Sequence, residues 1–200
     1  MSRIRPVPRE EWPDTMHDAL AAMRPPVPRY RPAGRADRPQ AGNTLDTFAH
    51  HPALARAFLT FNGHILYATT LTERQREILV LRVAVRRRSA YLWAQHLFLG
   101  RDSGLTDEEM GRIAFGPDAP FFEPLDTALI RAVDELVDDG AIGTETWAVL
   151  AAELDAQQLL DVVFTVGCYN TVAWLFRSFD LEVDPEIPEM LRRGASNGGD

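Results

Sequence analysis

Two hundred residues with a net charge of −8 make a chain of single-domain size, and all 21 of its basic residues are arginine. The acidic balance argues against nucleic acid as a partner, because phosphate binding needs a clustered positive surface. The absence of lysine excludes a Schiff-base mechanism, and the all-arginine usage hints at a GC-rich bacterial genome.

The N-terminus, MSRIRPVPREEW, has no apolar core and does not read as a signal peptide. Residues 1–42 read as an extension. It begins with a short helix over Pro13–Met23, anchored by Trp12 and Met16, and continues as a Pro- and Arg-rich arm, Arg24–Gly42, without helical or strand period. Residues 1–40 hold eight Arg against five acidic residues, a balance of +3, so the remainder carries −11 of the total of −8. That contrast suggests an arm lying on a neighbouring subunit; a solvated loop is the plainer alternative.

Residues 43–183 read as an all-α domain, a bundle without strands. NTLDTFAHH is a short helix, and Pro52 suits the first turn of a longer one with Leu54, Phe58, Phe61, Ile65 and Leu66 at helical spacing. Thr72 with Gln75 forms a capping box for a helix over 73–86, and a second helix covers 89–102, closed by Gly104. Thr106 and Glu109 cap the next helix. Phe121 and Phe122 are expected to pack inward from the loop that follows. Pro124 opens an amphipathic helix closed by Gly140, and Thr144 or Glu145 opens another. Asp155 caps the last long helix, which is apolar on nearly every face and is expected to be buried. No stretch reads as the roughly 20 apolar residues needed to span a bilayer, so no membrane partner is expected. Residues 184–200 read as a tail. One cysteine, Cys168, excludes an intrachain disulfide and fits a reducing cytoplasm.

A faint two-copy repeat runs through this plan. Setting His64 on Trp147 puts Leu71 on Leu154, Gln75 on Gln158 and Glu77 on Leu160. Each copy is a helix, a capped turn and a long apolar helix, and the second has lost the carboxylate.

Glu77 and His96 carry the strongest chemical signal. Glu77 sits among Ile78, Leu79, Leu81, Val83 and Val85, and Ser89, Leu92 and His96 share one face of the next helix. Desolvation is expected to raise the Glu77 carboxyl toward neutrality, and imidazole titrates near neutral pH unaided. The plainer readings are a Glu paired with Arg74, Arg82 or Arg88, and a core His satisfied by a hydrogen bond. Tyr91 offers a hydroxyl to a substrate oxygen or is a packing residue. Among Arg86, Arg87 and Arg88, one can hold a carboxylate through its guanidinium fork. His50, His51 and His64 invite a metal reading, but no ligand spacing supports one, so no metal and no cofactor is expected. Cys168 reads as a small buried hydrophobe.

RQREILVLRVA, SAYLWAQH and GRDSGLTDEEM resemble the carboxymuconolactone decarboxylase and alkylhydroperoxidase D superfamily, and the likeness is traceable from Asn43 to Phe179. The peroxidase branch carries a Glu, a Cys-x-x-Cys pair and a His four residues on. Glu77 and His96 match the first and last, while Ser89 and Leu92 stand at the thiol positions. The decarboxylase branch shows Tyr-Glu-Trp-x-x-His, matched by Tyr91, Leu92, Trp93, Ala94, Gln95 and His96 with Leu92 in place of Glu. The resemblance implies a helical bundle assembled as a trimer or hexamer. It also implies a cytoplasmic, cofactor-independent lyase or isomerase acting on a small organic acid, lactone or enolisable carbonyl compound. Glu77, His96 and Tyr91 would be its catalytic groups, and Arg88, Ser89, Leu92 and Trp93 its substrate contacts. An idle ligand-binding or scaffold protein is the alternative; a thiol peroxidase is a further one, opposed by the missing cysteine pair.

Overall fold

Capping chemistry sets the helix boundaries. The computed structural model describes residues 2–30, 38–120 and 122–196. Among these are ten α-helices and no strand: α1 (Asp14–Ala21), α2 (Gly42–Phe48), α3 (Pro52–Tyr67), α4 (Glu73–Arg86), α5 (Ala90–Asp102), α6 (Asp107–Phe115), α7 (Pro124–Asp138), α8 (Thr144–Glu153), α9 (Ala156–Ser178) and α10 (Ile187–Ser196). The all-α expectation holds. Thr72 Oγ1 accepts the Gln75 N–H at 3.1 Å, and Gln75 returns its amide oxygen to the Thr72 N–H at 2.9 Å. Thr106 and Glu109 repeat the box ahead of α6, at 3.2 and 2.8 Å. Asp155 and Gln158 do the same ahead of α9, at 2.9 Å each way. The last pair occupies the repeat positions of Thr72 and Gln75. Each box satisfies orphan amides at a helix start. Gly104 and Gly140 end their turns at φ +89° and +75°, which glycine adopts without steric cost.

The chain divides into two compact units, Met1–Ala68 with Phe176–Asp200, and Thr69–Leu175. In the first, Trp12, Met16, Ala19, Ala49, Ala55 and Leu59 form a core. Trp12 donates from Nε1 to the Val7 carbonyl at 3.1 Å and to Asp46 Oδ1 at 3.0 Å, so its polar edge is satisfied. Of the expected α3 stripe, Ile65 is buried and Phe58 packs against this core, but the most buried face is shifted from it. Ala55, Leu59, Asn62, Gly63 and Ile65 are buried, and Leu54 is 52% exposed. Close approach contributes to this: a Cβ at Gly63 would lie 1.9 Å from the Met23 carbonyl oxygen, so glycine is required where α3 meets the chain that follows α1. Residues 184–200, expected as a tail, contain α10. Asp184 accepts the Asn43 N–H at 2.8 Å.

In the second unit α4 is central. Ile78, Leu79, Val80, Leu81 and Val83 are fully buried. Arg82, also buried, donates to Asp134 on α7 at 2.7 and 2.6 Å and to the Ile113 and Ala114 carbonyls at 3.1 and 3.0 Å. This bidentate pair with two further acceptors compensates the burial of the guanidinium. Asp161 on α9 accepts both the N–H and the hydroxyl of Thr70, at 2.6 and 2.7 Å, and so ties α9 to the turn before α4. Phe122 is half-buried, and Phe121 lies outside the described residues.

Two expectations about α9 need correction. At 23 residues it is long and apolar enough to cross a bilayer, contrary to the sequence reading, although half of its most apolar window is buried in the fold. Nor is it buried all round: Asp161, Val162, Thr165, Val166, Tyr169, Val172 and Ala173 are buried, but Leu160, Val163, Phe164 and Trp174 are exposed. An all-apolar helix shows no period to reveal which face meets the core.

Candidate functional site

α4 and α5 are joined by the turn Arg87–Arg88–Ser89, and the short connection sets them side by side. Ser89 accepts the Leu92 N–H at 3.3 Å and starts α5. From that start, Leu92 and His96 fall on one face, one turn apart, and that face meets α4 at Glu77.

Glu77 has no accessible surface, and both its oxygens are engaged. Oε1 accepts from Arg76 Nε at 2.9 Å, and Oε2 lies 2.7 Å from His96 Nδ1. Arg76 is itself 4% exposed, and its guanidinium reaches Glu73 only at 3.9 Å. Tyr169 from α9 stands edge-on to the His96 ring, with centroids 4.9 Å apart at 87°. Burial alone would raise the Glu77 carboxyl. The imidazole and the guanidinium beside it outweigh that effect and hold it below its ordinary value of 4.5. The expected rise toward neutrality is therefore reversed, because the desolvated carboxylate has two hydrogen-bonded cationic or polar partners rather than an apolar pocket. An ionised carboxylate only accepts, so His96 donates Nδ1–H to it and its Nε2 is left for another contact.

The guanidinium beside Glu77 is Arg76, not Arg74, Arg82 or Arg88. Arg74 pairs with Asp126 and Glu109 at 2.8 and 2.9 Å, and Arg82 with Asp134. Helix geometry alone does not point adjacent side chains at each other, so spacing could not find this pair. Tyr169 was also missed: it lies 73 residues from His96, and only its place on an apolar helix was legible.

The remaining sequence candidates separate. Leu92 and Ser89 are buried and Trp93 is half-buried on the His96 side of α5. Tyr91 is buried, but five residues from His96 it lies about 140° around the helix. Arg86 pairs with Asp138, and Arg87 binds Asn170 Oδ1 and lies over the Trp174 ring at 5.6 Å. Arg88 is exposed, at φ +50°, and its side chain makes no hydrogen bond or ion pair with the described residues. His51 caps α3 through Leu54, and His50 Nε2 donates to the Arg5 carbonyl at 2.8 Å. Thr165, one turn before Tyr169 on α9, buries its hydroxyl without a hydrogen-bond partner among the described residues.

Residues 52–135, which include α4 and α5 with Glu77 and His96, match the carboxymuconolactone decarboxylase family. Over that segment the chain is similar to the carboxymuconolactone decarboxylase family. Three solved structures share its fold. The alkylhydroperoxidase AhpD core of an uncharacterised peroxidase-related protein from Ralstonia eutropha JMP134 superposes with a TM-score of 0.71 at 16% identity, over 93% of this chain and 94% of that one. An uncharacterised peroxidase-related protein from Silicibacter sp. TM1040 gives 0.66 at 13% identity, over 72% and 78%. A protein of unknown function from Agrobacterium tumefaciens, assigned there to antioxidant defence as an AhpD, gives 0.64 at 16% identity, over 69% and 95%. At these identities the likeness speaks to the fold alone. No curated protein matches the chain.

Proposed function

We propose that this chain is a non-redox, cofactor-independent enzyme of the carboxymuconolactone decarboxylase type. Its reaction is proton transfer on a small organic acid, lactone or enolisable carbonyl compound, in a decarboxylation, isomerisation or related lyase step. The observation that carries this reading is the buried chain Arg76–Glu77–His96. Glu77 has no accessible surface, while the His96 side chain keeps 7% of its own. His96 is thus the more accessible partner of the Glu77–His96 pair, and Glu77 is a positioning residue that fixes the imidazole tautomer.

With Nδ1–H held by Glu77, the neutral imidazole presents Nε2 as a base. It takes a proton from carbon next to a carbonyl, and the resulting imidazolium is stabilised by the anionic Glu77. The same proton returned to a different carbon, or to the carbanion left by loss of carbon dioxide, completes the isomerisation or decarboxylation. Arg88, exposed at the start of α5 with its guanidinium unengaged, is the candidate to hold the substrate carboxylate, with Ser89, Leu92 and Trp93 beside it on the approach to His96. Tyr91 is retained as a candidate hydroxyl contact.

Proton NMR in D2O tests the reading directly. The protein is incubated with a panel of 2-oxo acids and unsaturated lactones, and loss of C–H signal is followed. Exchange or turnover that disappears in His96→Gln supports it. Wild-type protein that exchanges no proton in any panel member, or His96→Gln that exchanges as fast as wild type, sinks it. The second reading, an idle ligand-binding or scaffold protein, is favoured by one observation: Leu92, buried at 2% exposure, stands where the decarboxylase pattern has an acid.

A further inference from the structure

We propose that the exposed face of α9 seats a second copy of this chain, with the two α9 helices crossing antiparallel at Gly167. Leu160, Phe164, Gly167, Thr171 and Trp174 are all exposed, and their spacing of four, three, four and three residues makes one continuous stripe. Leu160, Phe164 and Trp174 are each more than half exposed, and Val163 beside them is 39% exposed. From Ala156 to Phe176 the one charged residue is Asp161, which is buried about 100° around the helix from the stripe. A stripe of this kind is a helix-pairing seam.

Gly167 indicates what lies on it. A glycine inside a helix costs stability relative to alanine. Here a Cβ would meet nothing within 4 Å, so no contact among the described residues accounts for the missing side chain. Close approach of a helix from another molecule does account for it.

The stripe is also self-complementary in one direction. An antiparallel two-fold centred on Gly167 sets Leu160 of one copy beside Trp174 of the other, and Val163 and Phe164 beside Thr171, large against small. A parallel two-fold would set Phe164 on Phe164 and Trp174 on Trp174 across a gap at the glycine. Charge points the same way: Arg177 is exposed at one end of α9, and Glu153 and Asp155 are exposed at the other. Antiparallel pairing brings these opposite charges together twice, as an isologous contact requires.

The internal repeat adds a separate argument. The first-copy positions of Leu160, Val163, Phe164 and Gly167 are Glu77, Val80, Leu81 and Ala84, each at most 1% exposed. The same helix face is covered in α4 and bare in α9, and α9 is the last helix of its unit. The cover that α5 gives Glu77 has no counterpart over Leu160, and the second copy supplies it.

Disulfide trapping in a Cys168→Ser background tests the contact. A residue on the two-fold axis meets itself, so Gly167→Cys should form a linked dimer under mild oxidation. A mixture of Leu160→Cys and Trp174→Cys copies should cross-link with each other. Glu145→Cys, exposed on α8, should remain unlinked. Independently, Phe164→Asp should weaken the association about 30-fold or more and halve the assembly mass in light scattering. Gly167→Cys fills open space and keeps the protein folded, so trapping decides the matter even if Phe164→Asp unfolds. No trapped dimer at Gly167, or equal trapping at Glu145, overturns the proposal. Self-linking of Leu160→Cys without mixed linking overturns the antiparallel geometry. A wild-type monomer at micromolar concentration also refutes it, as does a monomer that sediments with phosphatidylcholine vesicles, which would assign the stripe to a lipid surface.

Discussion

Arg76 and Glu77 are neighbours in sequence on one helix, yet their side chains meet: Arg76 Nε donates to Glu77 Oε1 at 2.9 Å while Oε2 engages His96. Consecutive helical residues diverge by about 100°, so the contact requires the guanidinium to fold back across the helix surface. Burial makes it do so. Neither charge reaches solvent well, and each compensates part of the burial of the other.

The pair predicts a large stability effect for Glu77→Gln. The sequence alone suggests a harmless isosteric change. In the structure, loss of the carboxylate removes the charged acceptor of a buried guanidinium, and the expected cost is about 3–5 kcal/mol. Denaturant unfolding of Glu77→Gln measures it. The double variant Arg76→Met/Glu77→Gln should recover part of the loss, because the buried guanidinium is gone. A Glu77→Gln protein within 0.5 kcal/mol of wild type, about the spread of ordinary surface changes, would show that the pair is not energetically coupled.

His96 is predicted to separate from Glu77 in its effects. His96→Gln keeps a polar group near Oε2 and should leave the melting temperature nearly unchanged. Turnover on any substrate found in the exchange panel should fall by about 10²–10⁴-fold. Equal loss of stability in His96→Gln and Glu77→Gln would mark both as structural.

Acid should weaken the fold through Glu77. Its folded pKa lies below the ordinary 4.5 of an unfolded carboxyl, so the unfolded state binds its proton first as pH falls. The stabilisation is fully present above the unfolded value and is lost as pH drops through the folded one. Between pH 7 and 5 stability should therefore change little through this group, with the decline beginning below about pH 4.5. The slope of that decline should be shallower in Arg76→Met/Glu77→Gln, as chemical denaturation at stepped pH will show.

Peroxide reduction is predicted to be absent with or without a dithiol reductant. Ser89 and Leu92 stand at the paired thiol positions, and Cys168 is buried at 2% exposure on α9. The chemistry needs one thiolate to attack peroxide and a second thiol to resolve the product. A coupled assay with hydrogen peroxide and an organic hydroperoxide checks this. Dithiol-dependent turnover that persists in Cys168→Ser would require a different chemistry.

What the sequence determined by itself is local. Thr72 with Gln75, Thr106 with Glu109 and Asp155 placed their helix starts, because a capping bond spans three residues and is written in adjacent letters. The pairing of α4 with α5, and with it the meeting of Glu77 and His96, followed from the short turn between them. Tertiary structure decided which face of each helix is used. On α3 the approach of the Met23 backbone to Gly63 turned the Gly63 face inward and left Leu54 exposed. On α9 the apolar residues run all round, so no periodicity could distinguish the face that brings Tyr169 to His96 from the stripe left bare. It also decided the charge state of Glu77: whether a buried carboxyl goes up or down depends on its partners, and Arg76 and His96 reach it only through side-chain conformation and packing across helices.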